Sequence, residues 1–296
     1  MQNANLLKSH LQLHLIVFIW GFTAILGALI SIKEAQMVWY RMGFAGLFVL
    51  LYLIVTKQKF RLPVRQVAKL AFGGILIALH WIFFFRAINI SNVSITLAIF
   101  STGSFFASIL EPIFFNRKIR WYEIFFGLVI IAGLYLILNV EIRFLDGILC
   151  ALFSIFIGVI FTLLNGKFVQ HYQPSVIALY EFFAGFIFVS LYLYFDNQFQ
   201  PKFFVVSPTD WILILLLASV CSAYAFTASI NVMKKLSPYT VMLTTNLEPV
   251  YGIILAFFIL GDTEKMSTTF YVGSFVILLT VLINGYLQKS YKPYNQ

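Results

Sequence analysis

Charge is what this chain has least of. Asp, Glu, Lys and Arg make up 10% of its 296 residues, where soluble domains carry about 25%. Apolar residues fill 61% of the positions, and the mean hydropathy is +0.93. No soluble core could hide that much apolar surface, so a water-soluble globular protein is excluded. Cysteine is scarce too. Cys150 and Cys221 both fall inside apolar runs with no metal-like spacing. They read as small apolar filler, not as a disulfide or a metal site.

Several motifs are missing as well. There is no GxxxxGK[ST] phosphate loop, and so no ATP engine. HExxH, CxxC, GxSxG and the potassium selectivity filter are absent, and no cluster of His and carboxylates has metal spacing. The sequence calls for no cofactor and no metal. No cleavage site follows the first apolar run, which is therefore expected to stay as a helix. No connection is long enough for an extramembrane domain. The net charge of +9 is spread over short loops, not gathered in one patch. That distribution is a topology signal, and it argues against nucleic acid as a partner.

What is present is a series of apolar runs of membrane-spanning length. A helix needs roughly 20 residues to cross the hydrocarbon core. Ten stretches qualify: Leu11–Ile30, Met37–Val55, Leu70–Ile88, Val93–Phe115, Trp121–Leu138, Phe144–Leu164, Val176–Phe195, Trp211–Val232, Tyr239–Leu260 and Thr269–Leu287. Trp39, Trp121 and Trp211 lie near span ends, where amphipathic rings favour the headgroup zone. With the N-terminus inside, only Lys33, Arg86, Arg143, Lys202 and Lys265 fall outside, and Arg41 lies within a span. The other Lys and Arg are all on the inner side, which predicts that both termini are cytoplasmic.

The two halves of the chain repeat. Shifted by 146 positions, Ser91–Ile131 lies on Ser237–Ile277 without a gap, so that Leu97 meets Leu243 and Gly127 meets Gly273. Tyr40-Arg41 lies on Tyr180-Glu181 at a shift of 140. The loop with Arg117, Lys118 and Arg120 is basic. Its counterpart holds Asp262, Glu264 and Lys265. Five spans per half is an odd number, so the second half must enter the membrane from the opposite side. The fold expected is all-α and polytopic: ten transmembrane helices as two inverted five-helix repeats, residues 1–140 and 141–296.

Ionisable groups inside spans cost about 2.5–3.5 kcal/mol on insertion scales and call for a reason. Glu248 lies about ten residues into its span, at the midplane, with Pro249 after it. Carbonyls freed by the Pro, together with the carboxylate, could bind a substrate amine or a coupling proton. The alternative is a neutral Glu hydrogen-bonded for packing. Thr244, Thr245 and Tyr251 share its helix face. Glu111-Pro112 falls near the inner end of its span, close to Arg117 and Lys118, and reads as an ion pair or interface anchor ahead of a binding role. Arg41 and Glu181 are equivalents of opposite charge, each about a turn inside its span. They read as gating or steering charges at the two mouths, or as snorkelling side chains. His80 could carry protons or pack through a hydrogen bond. Ser94, Ser101, Ser104 and Ser108 share one face, for tight helix packing or for lining a polar cavity.

The segment Ser237–Lys265, SPYTVMLTTNLEPVYGIILAFFILGDTEK, resembles the EamA type of the drug/metabolite transporter superfamily. Ser237-Pro238, Glu248-Pro249 and Gly261-Asp262 fill its motif, with Asp in place of Glu. Trp20-Gly21 and Arg41 resemble the family's first two spans, and Gly127 and Gly133 its fifth. In the first copy Gly103 replaces the Pro, and Asn116-Arg117 replaces Gly-Glu. The resemblance implies two inverted five-helix units around a central cavity, with alternating access for amino acids or other small metabolites. By position, it implies that Trp20, His80, Ser101, Thr102, Tyr224, Thr245 and Glu248 bind substrate.

The function expected is a secondary-active or facilitative transporter of small organic metabolites in the inner (plasma) membrane. Its partners are a small-molecule substrate, the lipid bilayer and, as a second candidate ligand, a coupling proton. The rivals are an intramembrane lipid-modifying enzyme and a channel. The sequence sets no oligomeric state, substrate or direction.

Overall fold

The computed structural model describes residues 2–116 and 121–290. Arg117, Lys118, Arg120 and Lys292, which contribute to the charge bias, lie outside the described residues. The chain runs through α1 (Gln2–Leu29), α2 (Glu34–Val55), α3 (Val64–Ile90), α4 (Val93–Phe100), α5 (Gly103–Phe115), α6 (Trp121–Val140), α7 (Leu145–Phe168), α8 (Pro174–Phe195), α9 (Pro208–Leu216), α10 (Ala225–Val232), α11 (Pro238–Thr245), α12 (Glu248–Leu260) and α13 (Thr268–Ser290). There is no strand among the described residues. Helix is the expected answer for a chain this apolar, because lipid offers no partner to an unpaired backbone amide.

Eight helical stretches are long and apolar enough to cross a membrane, counting α4–α5, α9–α10 and α11–α12 as continuous rods. At the two remaining predicted spans the structure also has helices, α6 and α13. Their apolar segments among the described residues are shorter, Phe125–Ile137 and Thr268–Thr280.

Helix starts follow local chemistry. Asn92, Ser207 and Ser237 each accept the backbone N–H three residues on, from Ile95, Asp210 and Thr240. Pro174, Pro208 and Pro238 stand in first turns, where a missing N–H costs nothing. Asn116 ends α5 in the left-handed conformation at φ 51°.

The halves repeat in the backbone as well as in sequence. The helices α2 and α8 are both 22 residues long, and the positive φ after each falls at Lys57 and at Asn197. Both pairs are 140 positions apart, the shift read from the sequence. The Tyr40 hydroxyl donates to the Phe203 carbonyl, and the Tyr180 hydroxyl donates to the Phe60 carbonyl. The α2 and α8 rods pack together, as do α6 and α13. In the first half α3 packs on α7 and α8; in the second, the rod from Pro208 to Val232 packs on α1 and α2.

The other shift needs correcting by one residue. The fourth rod is an 8-residue helix, a break at Ser101-Thr102 and a 13-residue helix. The ninth is an 8-residue helix, a break at Asn246-Leu247 and a 13-residue helix. Asn92 therefore matches Ser237, an offset of 145, and Glu248 matches Gly103 rather than Thr102. Apolar identities recur by chance at many offsets, whereas the caps and the breaks are fixed by backbone bonding.

The two broken rods run antiparallel, α4 against α12 and α5 against α11. Each start is capped by a carboxylate from the opposite rod's side. Glu264 accepts the backbone N–H groups of Val93 at 3.1 Å and Ser94 at 2.8 Å. At the other end of the pair Glu111 accepts the backbone N–H of Tyr239 at 3.0 Å. This gives Glu111 a capping role, and the cations read as its partners, Arg117 and Lys118, lie outside the described residues. The buried acid of the 261–264 turn is Glu264. Asp262 is exposed and pairs with Lys265 at 2.6 Å, and that bond holds its carboxyl below the usual carboxylate range.

Candidate functional site

Mid-length breaks and a widened turn surround one cavity at the centre of the bundle. Its walls include Trp20 and Thr23 of α1, Arg41 of α2, His80, Trp81 and Phe84 of α3, Phe100 of α4, Ile155 to Asn165 of α7, and Thr245 and Glu248 at the α11–α12 break. The segment from Cys221 to Met233 closes the remaining side. The free space is about 100 Å³.

Arg41 enters this space although it stands only seven residues into α2, about 10 Å at 1.5 Å per residue. Its side chain is 1% exposed. The guanidinium carbon lies 3.6 Å from the centre of the Trp81 ring, a close cation–π contact. Its Nε donates to Ser222 Oγ at 2.7 Å, while Nη1 has no hydrogen-bond partner among the described residues. Ser222 sits in a stretch of π-helix, Leu217–Tyr224, and its hydroxyl donates to the Leu217 carbonyl five residues back. The widened turn thus presents a hydroxyl oxygen to the cation. Trp20 is held from the same turn, its Nε1 donating to the Cys221 carbonyl at 3.2 Å.

Glu248 faces Arg41 from across the cavity, at the first residue of α12. Among the described residues no hydrogen bond holds its carboxylate, and it makes no ion pair with Arg41 within 4.0 Å. Pro249 follows in the first turn of α12, where its missing donor is harmless. The carbonyls just before the break carry side-chain bonds. Thr245 Oγ1 donates to the carbonyls of Val241 and Met242, and Asn246 Nδ2 donates to those of Met242 and Leu243. The Glu248 carboxylate is thus an open polar group at the break.

His80 is anchored. Its Nδ1 lies 2.8 Å from the Ser154 carbonyl, and Ser154 Oγ donates back to the His80 carbonyl at 2.7 Å. A carbonyl only accepts, so Nδ1 carries a hydrogen. Phe84, Phe100 and Phe161 surround the ring. No group of three or more His, Cys, Asp or Glu with metal-binding geometry is found among the described residues.

Comparison with known proteins bears on this geometry. The model of the EamA-like transporter family matches residues 7–139 and again residues 145–286. The chain belongs to the EamA-like transporter family. No curated protein matches. A solved crystal structure superposes with a TM-score of 0.70 at 14% identity, over 95% of this chain and 98% of the other. That likeness speaks to the fold alone.

In this EamA-like transporter the sequence-predicted residues divide. Trp20, His80, Thr245 and Glu248 line the cavity. Ser101 and Thr102 are buried at the α4–α5 break and do not line it. The four serines of that rod are likewise buried among helices, where their small size lets the helices pack closely. Tyr224 is 48% exposed and lines a different groove, with Phe48, Tyr52 and Lys234, on the far side of the same rod.

Arg41 and Glu181 are not at the mouths, as the sequence reading placed them. Arg41 is in the cavity wall. Glu181 is fully buried behind it, where α8 crosses α3. The reason is packing: each stands on the inward stripe of a helix that is covered on that side, so neither can snorkel outward.

The sequence reading missed Ser222, the π-helical turn and the aromatic wall of Trp81, Phe84, Phe161 and Phe226. A run rich in Phe gave no sign of which rings face inward. The small-residue string Ala218, Ser219, Cys221 and Ser222 was the one available signal for the turn.

Proposed function

We propose that this multi-pass membrane protein is a carrier for small zwitterionic metabolites of the amino-acid type, working by alternating access. One observation carries the reading: a single cavity holds one cation, Arg41, with an N–H unused among the described residues, and one carboxylate, Glu248, with no hydrogen-bond partner among them. A substrate carboxylate would take the guanidinium edge, and a substrate amine would take Glu248. Charge-assisted bonds of this kind are the strong ones. The aromatic walls supply shape and exclude water. A typical ligand pocket has about 300–1,000 Å³. The smaller space here suits an occluded state and a small solute, and it requires the walls to part for loading.

The same reading takes all ten helices as spans and divides the chain into inverted repeats at residues 1–140 and 141–296. The two family matches and the antiparallel broken rods support it. It puts the protein in the inner membrane with both termini cytoplasmic, from the distribution of Lys and Arg.

The test is counterflow in proteoliposomes loaded with an equimolar mixture of neutral L-amino acids, with the labelled mixture outside. Saturable exchange in the wild type that is lost in Glu248→Gln is expected. Exchange unchanged in Glu248→Gln, or no exchange at all, overturns the reading. Non-saturable flux would favour a channel.

A further inference from the structure

Behind the cavity wall lies a second carboxyl group that the binding reading does not use. Glu181 is fully buried at the crossing of α8 with α3. The helices come close because Gly73 and Gly74 lack side chains. A Cβ on Gly73 would strike Glu181 Oε1, and one on Gly74 would strike the Glu181 backbone carbonyl. The Glu181 Oε2 accepts from Asn165 Nδ2 at 3.3 Å. Among the described residues its Oε1 has no hydrogen-bond partner, and neither does Asn165 Oδ1. Asn165 itself lines the cavity.

A buried carboxylate oxygen that lacks a donor is a costly arrangement. A proton on Glu181 removes the uncompensated charge, and the bond that Oε2 accepts from Asn165 Nδ2 is kept in the neutral acid.

Charged side chains from the surrounding helices are engaged elsewhere. From α2, Arg41 is bonded to Ser222 and stacked on Trp81, and Tyr40 is bonded to the Phe203 carbonyl. From α3, Lys69 is exposed, His80 is bonded to Ser154, and Arg86 pairs with Glu34. From α7, Lys167 lies over the rings of Phe114 and Phe115. Cys221, in the π-helical turn, stands in the cavity wall by Trp20. An ionised Glu181 would be a buried charge without a counter-ion, the state that burial penalises most.

We propose that Glu181 is a proton-binding site, loaded from the central cavity past Asn165, and that its protonation is coupled to substrate movement. A hydronium ion in the cavity gives its proton to the Glu181 carboxylate and leaves as water. Release returns the proton to water after the bundle has opened to the other face. Coupling follows from the crossing itself. With the proton on, α3 and α8 can close over a neutral acid. With it off, the carboxylate needs water, and the crossing must loosen. Because α3 also carries His80, Trp81 and Phe84 into the cavity, loosening it moves the cavity wall.

The proton site stands on geometry alone; the coupling rests on the carrier reading, and the experiment separates them. Infrared spectra of purified protein at neutral pH should show the carbonyl stretch of a protonated carboxylic acid that is lost in Glu181→Gln and shifted in Asn165→Leu. Identical spectra for the wild type and Glu181→Gln would overturn the proton site. In proteoliposomes an acid-outside pH gradient should accelerate uptake of labelled neutral L-amino acids by the wild type. Glu181→Gln should keep counterflow and lose that acceleration. Equal acceleration in the two proteins overturns the coupling. Absence of counterflow in the wild type overturns the carrier reading, and the coupling with it, while the infrared band still decides the proton site.

Discussion

Glu264 reaches from the turn after α12 to the first amides of α4, accepting from Val93 and Ser94, and so joins the end of one broken rod to the beginning of the other. Both the carboxylate and the amides are buried. Glu264→Ala would leave two buried N–H donors without an acceptor, at about 1–3 kcal/mol each. Thermal unfolding in detergent should show a clear drop in midpoint for Glu264→Ala and none for Asp262→Ala, two residues away and exposed. Equal midpoints for the two variants would remove the cap from the account.

Gly74 should tolerate no side chain. The obstacle to its Cβ is the backbone of Glu181, which cannot rotate away. At Gly127 the obstacle is the ring of Phe105, which can. Overpacking costs roughly 1–3 kcal/mol, so Gly74→Ala should destabilise well beyond Gly127→Ala. Comparable melting of the two variants would show that the α3–α8 crossing is looser than described.

Arg41 is expected to resist its conservative replacement. Lysine keeps the charge but cannot stack flat on Trp81 while donating to Ser222 and leaving a further N–H for a ligand. Arg41→Lys should abolish exchange of neutral L-amino acids. Ser222→Ala removes one charge-assisted bond, of about 1.5–3 kcal/mol, and should weaken apparent affinity while exchange persists. Full activity in Arg41→Lys would mean that charge alone suffices.

Cys221 offers a native probe of the cavity. It stands in the wall beside Trp20, whereas Cys150 belongs to a separate apolar cluster. A membrane-permeant maleimide should block exchange in the wild type and in Cys150→Ser, and should leave Cys221→Ser active. Saturating neutral L-amino acids should slow the block. Inhibition that survives in Cys221→Ser would place the reactive thiol elsewhere.

Much of this molecule could be read from its sequence because lipid imposes simple rules. Apolar runs of span length became helices, and the shift joining Tyr40 to Tyr180 recurs in the backbone. Glu248 was conspicuous because a carboxylate in an apolar run has few innocent explanations. The rest depended on three-dimensional closure. A one-residue error in the other shift was invisible among interchangeable Leu, Ile and Phe. The depth of Arg41 depends on Trp81 and on a turn widened at Ser222, neither of which its neighbours in the chain announce. The amide that Glu111 caps is 128 positions away in the chain.

The crossed caps have one more implication. Glu111 belongs to the first half and serves α11 of the second; Glu264 belongs to the second and serves α4 of the first. Either half produced alone would hold an acid with no amide to receive it and a helix mouth bare to hydrocarbon. Neither is a free-standing module, and co-expressed fragments should be rescued by each other rather than by lipid.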